Sequence, residues 1–179
     1  MNDVSAATTT LPARGFAATR APSFAETAER HLDDVYRYLL VFTRDPSLAE
    51  DLAAETFERA LRTWRRFDPA RSSPRTWLCT IARSIALDHF RAEKRRRSRE
   101  RAVSEAEAQL DLPDLGLSPA LERALASLSA ADREVVALRI VLDLDNEAAA
   151  RLLGISATAC TTRLSRALKR LEELMSDDE

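Results

Sequence analysis

The sequence predicts an all-α protein, two small helical domains joined by a flexible linker. Only three glycines occur in 179 residues, amid many alanines, leucines, arginines and glutamates, a composition that favours helix over sheet. Apolar residues recur at helical spacing in every long segment. Near the middle lies a stretch of about twenty residues where that spacing fails, and loops of this length are uncommon inside one compact domain. The length suits one ordinary domain or two small ones.

Residues 1–22 lack the basic start and apolar core of a secretory signal, so a disordered tail is expected. The first helix runs from about Phe24 to Phe42, with Leu32, Val35, Tyr36, Leu39, Leu40 and Phe42 as its apolar stripe. Arg44-Asp45-Pro46 ends it. Asp45 is a good N-cap and Pro46 fits the first helical position of the next helix. That second helix reaches about Arg66. Leu48, Leu52, Phe57, Ala60, Leu61 and Trp64 face inward, and Glu50, Asp51, Glu55 and Glu58 outward. FDPARSSP, residues 67–74, reads as a loop whose Ser73 caps a third helix. Trp77, Leu78, Ile81, Ile85 and Phe90 form its core side; Arg75, Arg83, Ser84, Asp88 and Arg91 fall on other faces. The first domain is thus placed at 23–97 and the linker at 98–117, acidic in its second half.

The second domain, 118–175, restarts at Ser118-Pro119, again a cap and a first-turn proline. Leu121, Leu125 and Leu128 mark a short amphipathic helix. Ser129 and Asp132 resemble a capping box with aspartate in place of glutamate. Val135, Val136, Leu138, Arg139 and Ile140 make the next helix. Asp145 caps a short one through Leu152, and Gly154 suits the left-handed residue that ends it. Ser156 caps the last helix, with Ala157, Cys160, Leu164, Ala167, Leu168, Leu171 and Leu174 or Met175 inward. Residues 176–179 form an acidic tail.

Composition excludes several classes. With 45% hydrophobic and 31% charged residues the chain reads as soluble. No run of about 18 apolar residues predicts a membrane span. Cys79 and Cys160 form no CxxC, and with His31 and His89 they give no metal spacing. They read as core residues in a reducing, cytoplasmic setting, and neither metal nor cofactor is expected. No paired carboxylates and no nucleophile–base arrangement point to an enzyme.

The net charge of -2 hides an asymmetry. Between Arg59 and Arg101 fourteen Lys and Arg stand against four acids, a local +10. Such a block is either a footprint for a polyanion or a solvated, frayed helix end. Trp64 and Trp77 near it could stack unpaired bases or simply fill the core.

EAAARLLGISATACTTRLSRALKRL, residues 147–171, is helix, glycine turn, helix. This fits a helix-turn-helix whose second helix enters the major groove, or an amphipathic hairpin within a bundle. The free face of the second helix offers Thr158, Thr161, Thr162, Ser165, Arg166 and Lys169. Short hydroxyls suit base edges, and the cations suit guanine or phosphate.

AEDLAAETFERALRTWRRFDP, then RTWLCTIARSIALDHFRAEKRR, then LSAADREVVALRIVLDLDNEAAARLLGISATACTTRLSRALKRL, resemble the extracytoplasmic-function (ECF) group of bacterial sigma factors, in order and over about Phe24 to Leu174. The resemblance implies a promoter-recognition subunit of RNA polymerase. The family's DLxQExF motif, which grips the clamp of the largest polymerase subunit, falls on Asp51, Leu52, Glu55 and Phe57, with Ala54 in place of glutamine. The part of the family that reads the −10 element and captures an extruded base falls on Arg71, Ser72, Ser73, Arg75, Thr76, Arg83, Ser84, Asp88 and Arg91, with Ser84 where asparagine is frequent. The reader of the −35 element falls on Ser156, Thr158, Thr161, Thr162, Arg163, Ser165, Arg166 and Lys169. A lysine common in the family is missing from Ala159-Cys160-Thr161, and Ala149 stands where isoleucine is typical. The implied partners are core polymerase (clamp and flap), promoter DNA and an anti-sigma factor wedged between the two domains or wrapped by them. The other reading is a stand-alone DNA-binding regulator that uses only the C-terminal helices.

Overall fold

Local capping chemistry sets most of the helix starts. The computed structural model describes residues 23–100 and 117–176, and every regular element among them is helical. Helix α1 spans Phe24–Thr43, α2 Pro46–Thr63 and α3 Pro74–Glu100. A 3-10 turn, Trp64–Arg66, follows α2. In the second half come α4 (Pro119–Ser127), α5 (Ala130–Val136), a π-helical segment (Ala137–Val141), α6 (Asn146–Leu153) and α7 (Ala157–Ser176). Both tails and residues 101–116 lie outside the described residues, and α3 continues three residues into the stretch expected to be linker.

Asp45, Ser118, Ser129, Asp145 and Ser156 each accept a backbone N–H in the first turn of the following helix. A full capping box at Ser23 was not anticipated. The Ser23 hydroxyl accepts from the Glu26 N–H at 3.3 Å while the Glu26 carboxylate accepts from the Ser23 N–H at 2.7 Å. Gly154 has φ 68°, the left-handed region, and its N–H with that of Ile155 satisfies the last carbonyls of α6.

α1, α2 and α3 pack on one another around Val35, Leu39, Phe42, Leu52, Leu78 and Ile85. In the second half α7 lies across α4, α5 and α6. Leu32 and Leu61, expected in the core, are 52% and 58% exposed, and Ile140, expected only to be helical, is 53% exposed. On α2 the core places go to Ala49, Leu52, Ala53, Thr56 and Ala60. These mostly small residues let the backbone approach its neighbours and turn Leu61 outward. At Ile140 the cause is the π segment, where the Leu142 N–H reaches back five residues to the Ala137 carbonyl. The extra residue in that turn keeps Leu138 and Leu142 inside and swings Ile140 out. On α7, Ala157, Leu168 and Met175 are also exposed, while Cys160, Ala167 and Leu171 are buried. Ala149 is fully buried, so its neighbours close over the small side chain.

The two halves do not stand apart. α1 also packs against α5 and the π segment, and α3 against α6, so buried side chains from both halves form one continuous core.

Candidate nucleic-acid interface

On α2 the sequence pattern mixes two kinds of residue. Asp51 and Glu55 are exposed on the outer face, with Glu50, Ala54 and Glu58 beside them. Leu52 is buried and Phe57 is half-buried against the core, so these two set the pose of the helix. Glu55 pairs with Arg59 at 2.9 Å and Glu58 with Arg62, both one turn along the helix. Such exposed pairs contribute about 0.3–0.5 kcal/mol each, so the carboxylates remain available to another partner. The exposed Leu61 adds an apolar spot close to this acidic face that pattern reading had assigned to the core.

The loop before α3 is held by an aromatic cluster. Trp64 stacks on Phe67 with centroids 5.0 Å apart, and both pack against Trp77; Phe24 meets the other side of Trp64. The tryptophans are half-buried, each committed to this cluster, which favours the core reading of them. Around it, Asp68 accepts from the Ala70 N–H at 2.9 Å and lies 3.4 Å from the Arg71 guanidinium. Ser73 and Thr76 share a 2.9 Å hydroxyl contact at the first turn of α3. Arg71, Ser73, Ser84, Asp88 and Arg91 are exposed, while Ser72 and Thr76 are half-buried. Asp88 and Arg91 pair with each other at 2.9 Å.

Two members of this set are already engaged. Arg75 is held by Asp34 through Nε at 2.9 Å and Nη2 at 3.3 Å, and its Nη1 donates to the Leu142 carbonyl at 2.6 Å. Burial would raise the Asp34 carboxyl, but hydrogen bonds from Arg75 and His31 outweigh it and hold the group below its ordinary value. Arg83 Nε donates to Glu134 Oε1 at 2.7 Å, and the Tyr38 hydroxyl donates to the same oxygen at 3.1 Å. Burial first, and then the Glu134 charge, push the Tyr38 phenol well above its ordinary value, so it stays a donor. Sequence reasoning missed Asp34, Tyr38 and Glu134. The one available signal was a glutamate placed directly before the apolar stretch Val135–Leu138.

The far end of α3 carries Lys94, Arg95, Arg96, Arg97 and Arg99, all exposed. Cations suit a helix C-terminus, where the backbone dipole is negative. Arg96 and then Arg97 hold Glu93 down to about 2. Lys94, Arg96 and Arg97 line the side of a groove against Arg44 and the start of α2.

In α7, Thr158, Thr161, Thr162, Ser165, Arg166 and Lys169 are all exposed on one side, Ser156 caps the helix and Arg163 is half-buried. Thr161 and Thr162 donate to the carbonyls of Ala157 and Thr158, which leaves oxygen lone pairs facing out. Asn146 at the start of α6 donates to the Ala157 carbonyl at 2.9 Å and ties the two helices of the turn together. The inner face is apolar: burial pushes the Cys160 thiol up, and the Cys79 thiol in α3 up to about 12. Both sulfurs are therefore unreactive fillers of the core. Among the described residues there is no group of His, Cys, Asp or Glu that could hold a metal ion, and no helix long and apolar enough to cross a membrane.

Comparison with known proteins covers both halves. Residues 27–96 match the family model for Sigma-70 region 2 and residues 118–171 that for Sigma-70 region 4. The chain is 33% identical over 172 residues to the ECF RNA polymerase sigma factor BldN of Streptomyces coelicolor, across 90% of this chain and 63% of that one. It is 30% identical to the ECF sigma factor SigX of Bacillus subtilis, across 81% of this chain and 84% of that protein. It is 34% identical to the sigma factor CarQ of Myxococcus xanthus, across 88% and 91%. Among solved structures, the sigma factor RpoE in complex with the anti-sigma factor NepR from Bartonella quintana superposes with a TM-score of 0.74 at 26% identity, over 87% of this chain and 98% of that one. CnrH in complex with the cytosolic domain of CnrY gives 0.65 at 25% identity, over 87% and 89%. The chain belongs to the ECF group of bacterial RNA polymerase sigma factors.

Proposed function

We propose that this chain joins core RNA polymerase, directs it to promoters and helps to open them, acting by binding alone with no chemistry of its own, in the cytoplasm. Residues 23–97 take the polymerase clamp and the −10 element, and 118–175 take the −35 element and the flap. Asp51 and Glu55 meet the clamp, with Leu52 and Phe57 fixing the helix that presents them. Arg71, Ser72, Ser73, Arg75, Thr76, Arg83, Ser84, Asp88 and Arg91 serve the −10 strand. Unstacking a base there costs a few kcal/mol, which pocket contacts must offset. Ser156, Thr158, Thr161, Thr162, Arg163, Ser165, Arg166 and Lys169 serve the major groove at −35. The observation that carries this reading is the presence of two outward faces of opposite character: carboxylates on α2, hydroxyls and cations on α7. An anti-sigma partner is part of the reading, because the likeness to RpoE, solved with the anti-sigma factor NepR, extends over both halves.

Run-off transcription with core polymerase, from the promoter upstream of the chain's own gene, tests it. Transcripts that require the chain and shrink with both Glu55→Ala and Arg166→Ala support both surfaces together. No transcripts, together with salt-sensitive duplex binding by the chain alone, would replace it with the stand-alone regulator.

A further inference from the structure

Beside the seam where α1 and α3 meet α5, a groove of about 1240 Å³ runs between the α1–α2 corner, the last turns of α3 and Arg133 of α5. Arg44, Lys94, Arg96, Arg97 and Arg133 line it, with three acids, Asp45, Asp51 and Glu93. The acids do not answer all of these cations. Glu93 is taken by Arg96 and Arg97 at 2.9 and 2.8 Å, and Asp45 accepts from the Leu48 N–H at the first turn of α2. Among the described residues Arg44, Lys94 and Arg133 have no carboxylate partner. Arg133 is half-buried; its Nη1 donates to the Leu125 and Leu128 carbonyls, while its buried Nε finds no acceptor. Burial, and then the Arg44 charge, hold the Arg133 guanidinium below its ordinary value, so the two cations repel each other. Arg44 also stands at φ 60°, the left-handed region, where a helix end usually has glycine or asparagine. A cation kept in strained backbone beside a second, half-buried cation points to a use for the pair.

We propose that this groove binds a short phosphate chain, such as that of a nucleoside triphosphate or of inorganic tripolyphosphate. Arg44 and Arg133 hold the chain, and Lys94 approaches it from α3. Pro46 and Ser47 bring the positive end of the α2 dipole to the same groove. Guanidinium groups match phosphate oxygens two at a time, and a bound anion offsets the repulsion between Arg44 and Arg133. Such a pair favours charge concentrated in one small ligand, whereas a nucleic-acid backbone spreads its charge along its length. Leu48, Phe90 and His89 line the groove as well and give a nucleoside apolar and aromatic surface to rest on. None of the residues proposed for the −10 or −35 elements lines it, so the site goes beyond promoter recognition.

The test is calorimetric titration of the full chain, at fixed salt, with tripolyphosphate, ATP, GTP and orthophosphate. Tripolyphosphate should bind and raise the Tm, and orthophosphate should bind about a hundredfold more weakly. Arg44→Gly should weaken tripolyphosphate about tenfold, while the Tm holds or rises because glycine suits φ 60°. A loss of binding without a loss of stability separates a ligand contact from a structural one. Arg133→Met should weaken binding about tenfold, and the exposed Lys94→Gln about threefold. Arg95→Gln, exposed but outside the groove, should change nothing. ATP and GTP separate the sources: affinity equal to that of tripolyphosphate assigns the site to the phosphate chain alone, and tighter binding assigns it to a nucleotide. If Arg133→Met does not fold, Arg44→Gly and Lys94→Gln decide. The proposal is overturned if no phosphate chain binds, if orthophosphate binds as tightly, or if Arg95→Gln loses as much as Arg44→Gly. It falls too if single-stranded DNA shows the same dependence on Arg44 and tripolyphosphate does not displace it, which would make the groove a nucleic-acid surface.

Discussion

The two surfaces proposed for nucleic acid differ in what their cations already hold. On α7, Arg166 and Lys169 stand in solvent, and Lys169 has only a 3.8 Å exposed contact to Glu173. On α3, Arg75 and Arg83 are spent on Asp34, Leu142 and Glu134. The cations of α7 are exposed as folded, whereas those of α3 are held in contacts that reach 41, 67 and 51 residues along the chain. Charge counted along the sequence therefore overstates what the free chain can offer to a polyanion.

The largest effect that could break this contrast is on stability. Arg83→Ala leaves the buried Glu134 without its guanidinium, and removing one partner of a buried pair costs about 3–5 kcal/mol. The Arg83 side chain is 25% exposed, so the lower end, about 3 kcal/mol, is expected in urea unfolding. A loss below about 0.5 kcal/mol would mean that the seam behaves as open surface. Arg166→Ala should act in the opposite way. It is expected to weaken binding to a −35 duplex by about 1–3 kcal/mol, read by titration at fixed salt, while the urea midpoint hardly moves. A stability loss equal to the binding loss would show that Arg166 is structural.

Gly154→Ala sharpens the comparison at the turn that aims α7. An added Cβ would meet nothing within 4 Å, so the cost is conformational alone, about 1–2 kcal/mol for an L-residue at φ 68°. Thermal unfolding reads it, and Gly154→Asn should lose less. The smallest effect is a pH dependence at the seam. The Asp34 pKa is lowered on folding, so its contribution is complete above the unfolded value near 3.8 and is lost as pH falls through the folded one. The stability difference between the parent chain and Asp34→Asn should therefore hold steady above about pH 5 and shrink as pH falls through about 4 and below. A constant difference would remove Arg75 and His31 as the cause.

Helix starts were legible because capping is a local matter: Asp45, Ser118, Ser129, Asp145 and Ser156 lie beside the N–H groups they satisfy. So was the turn at Gly154. The outward faces of α2 and α7 followed from helical spacing. What stayed hidden depends on partners distant in sequence. The buried place of Glu134 depends on Arg83 and Tyr38, which no spacing within α5 could reveal. Leu61 was misplaced because a stripe is not a fixed width: small residues narrowed it on α2.

α3 is one unbroken helix from Pro74 to Glu100. Arg83 and Arg99 are therefore about 24 Å apart on a single stiff rod. Such a rod is a lever with its fulcrum near the Glu134 contact. A tilt of about 10° there sweeps the arginine-rich tip sideways by about 4 Å, roughly three-quarters of a helical turn. Any event that loosens one end of this helix thus re-aims the other, and the most basic part of the chain is coupled mechanically to a carboxylate it never touches.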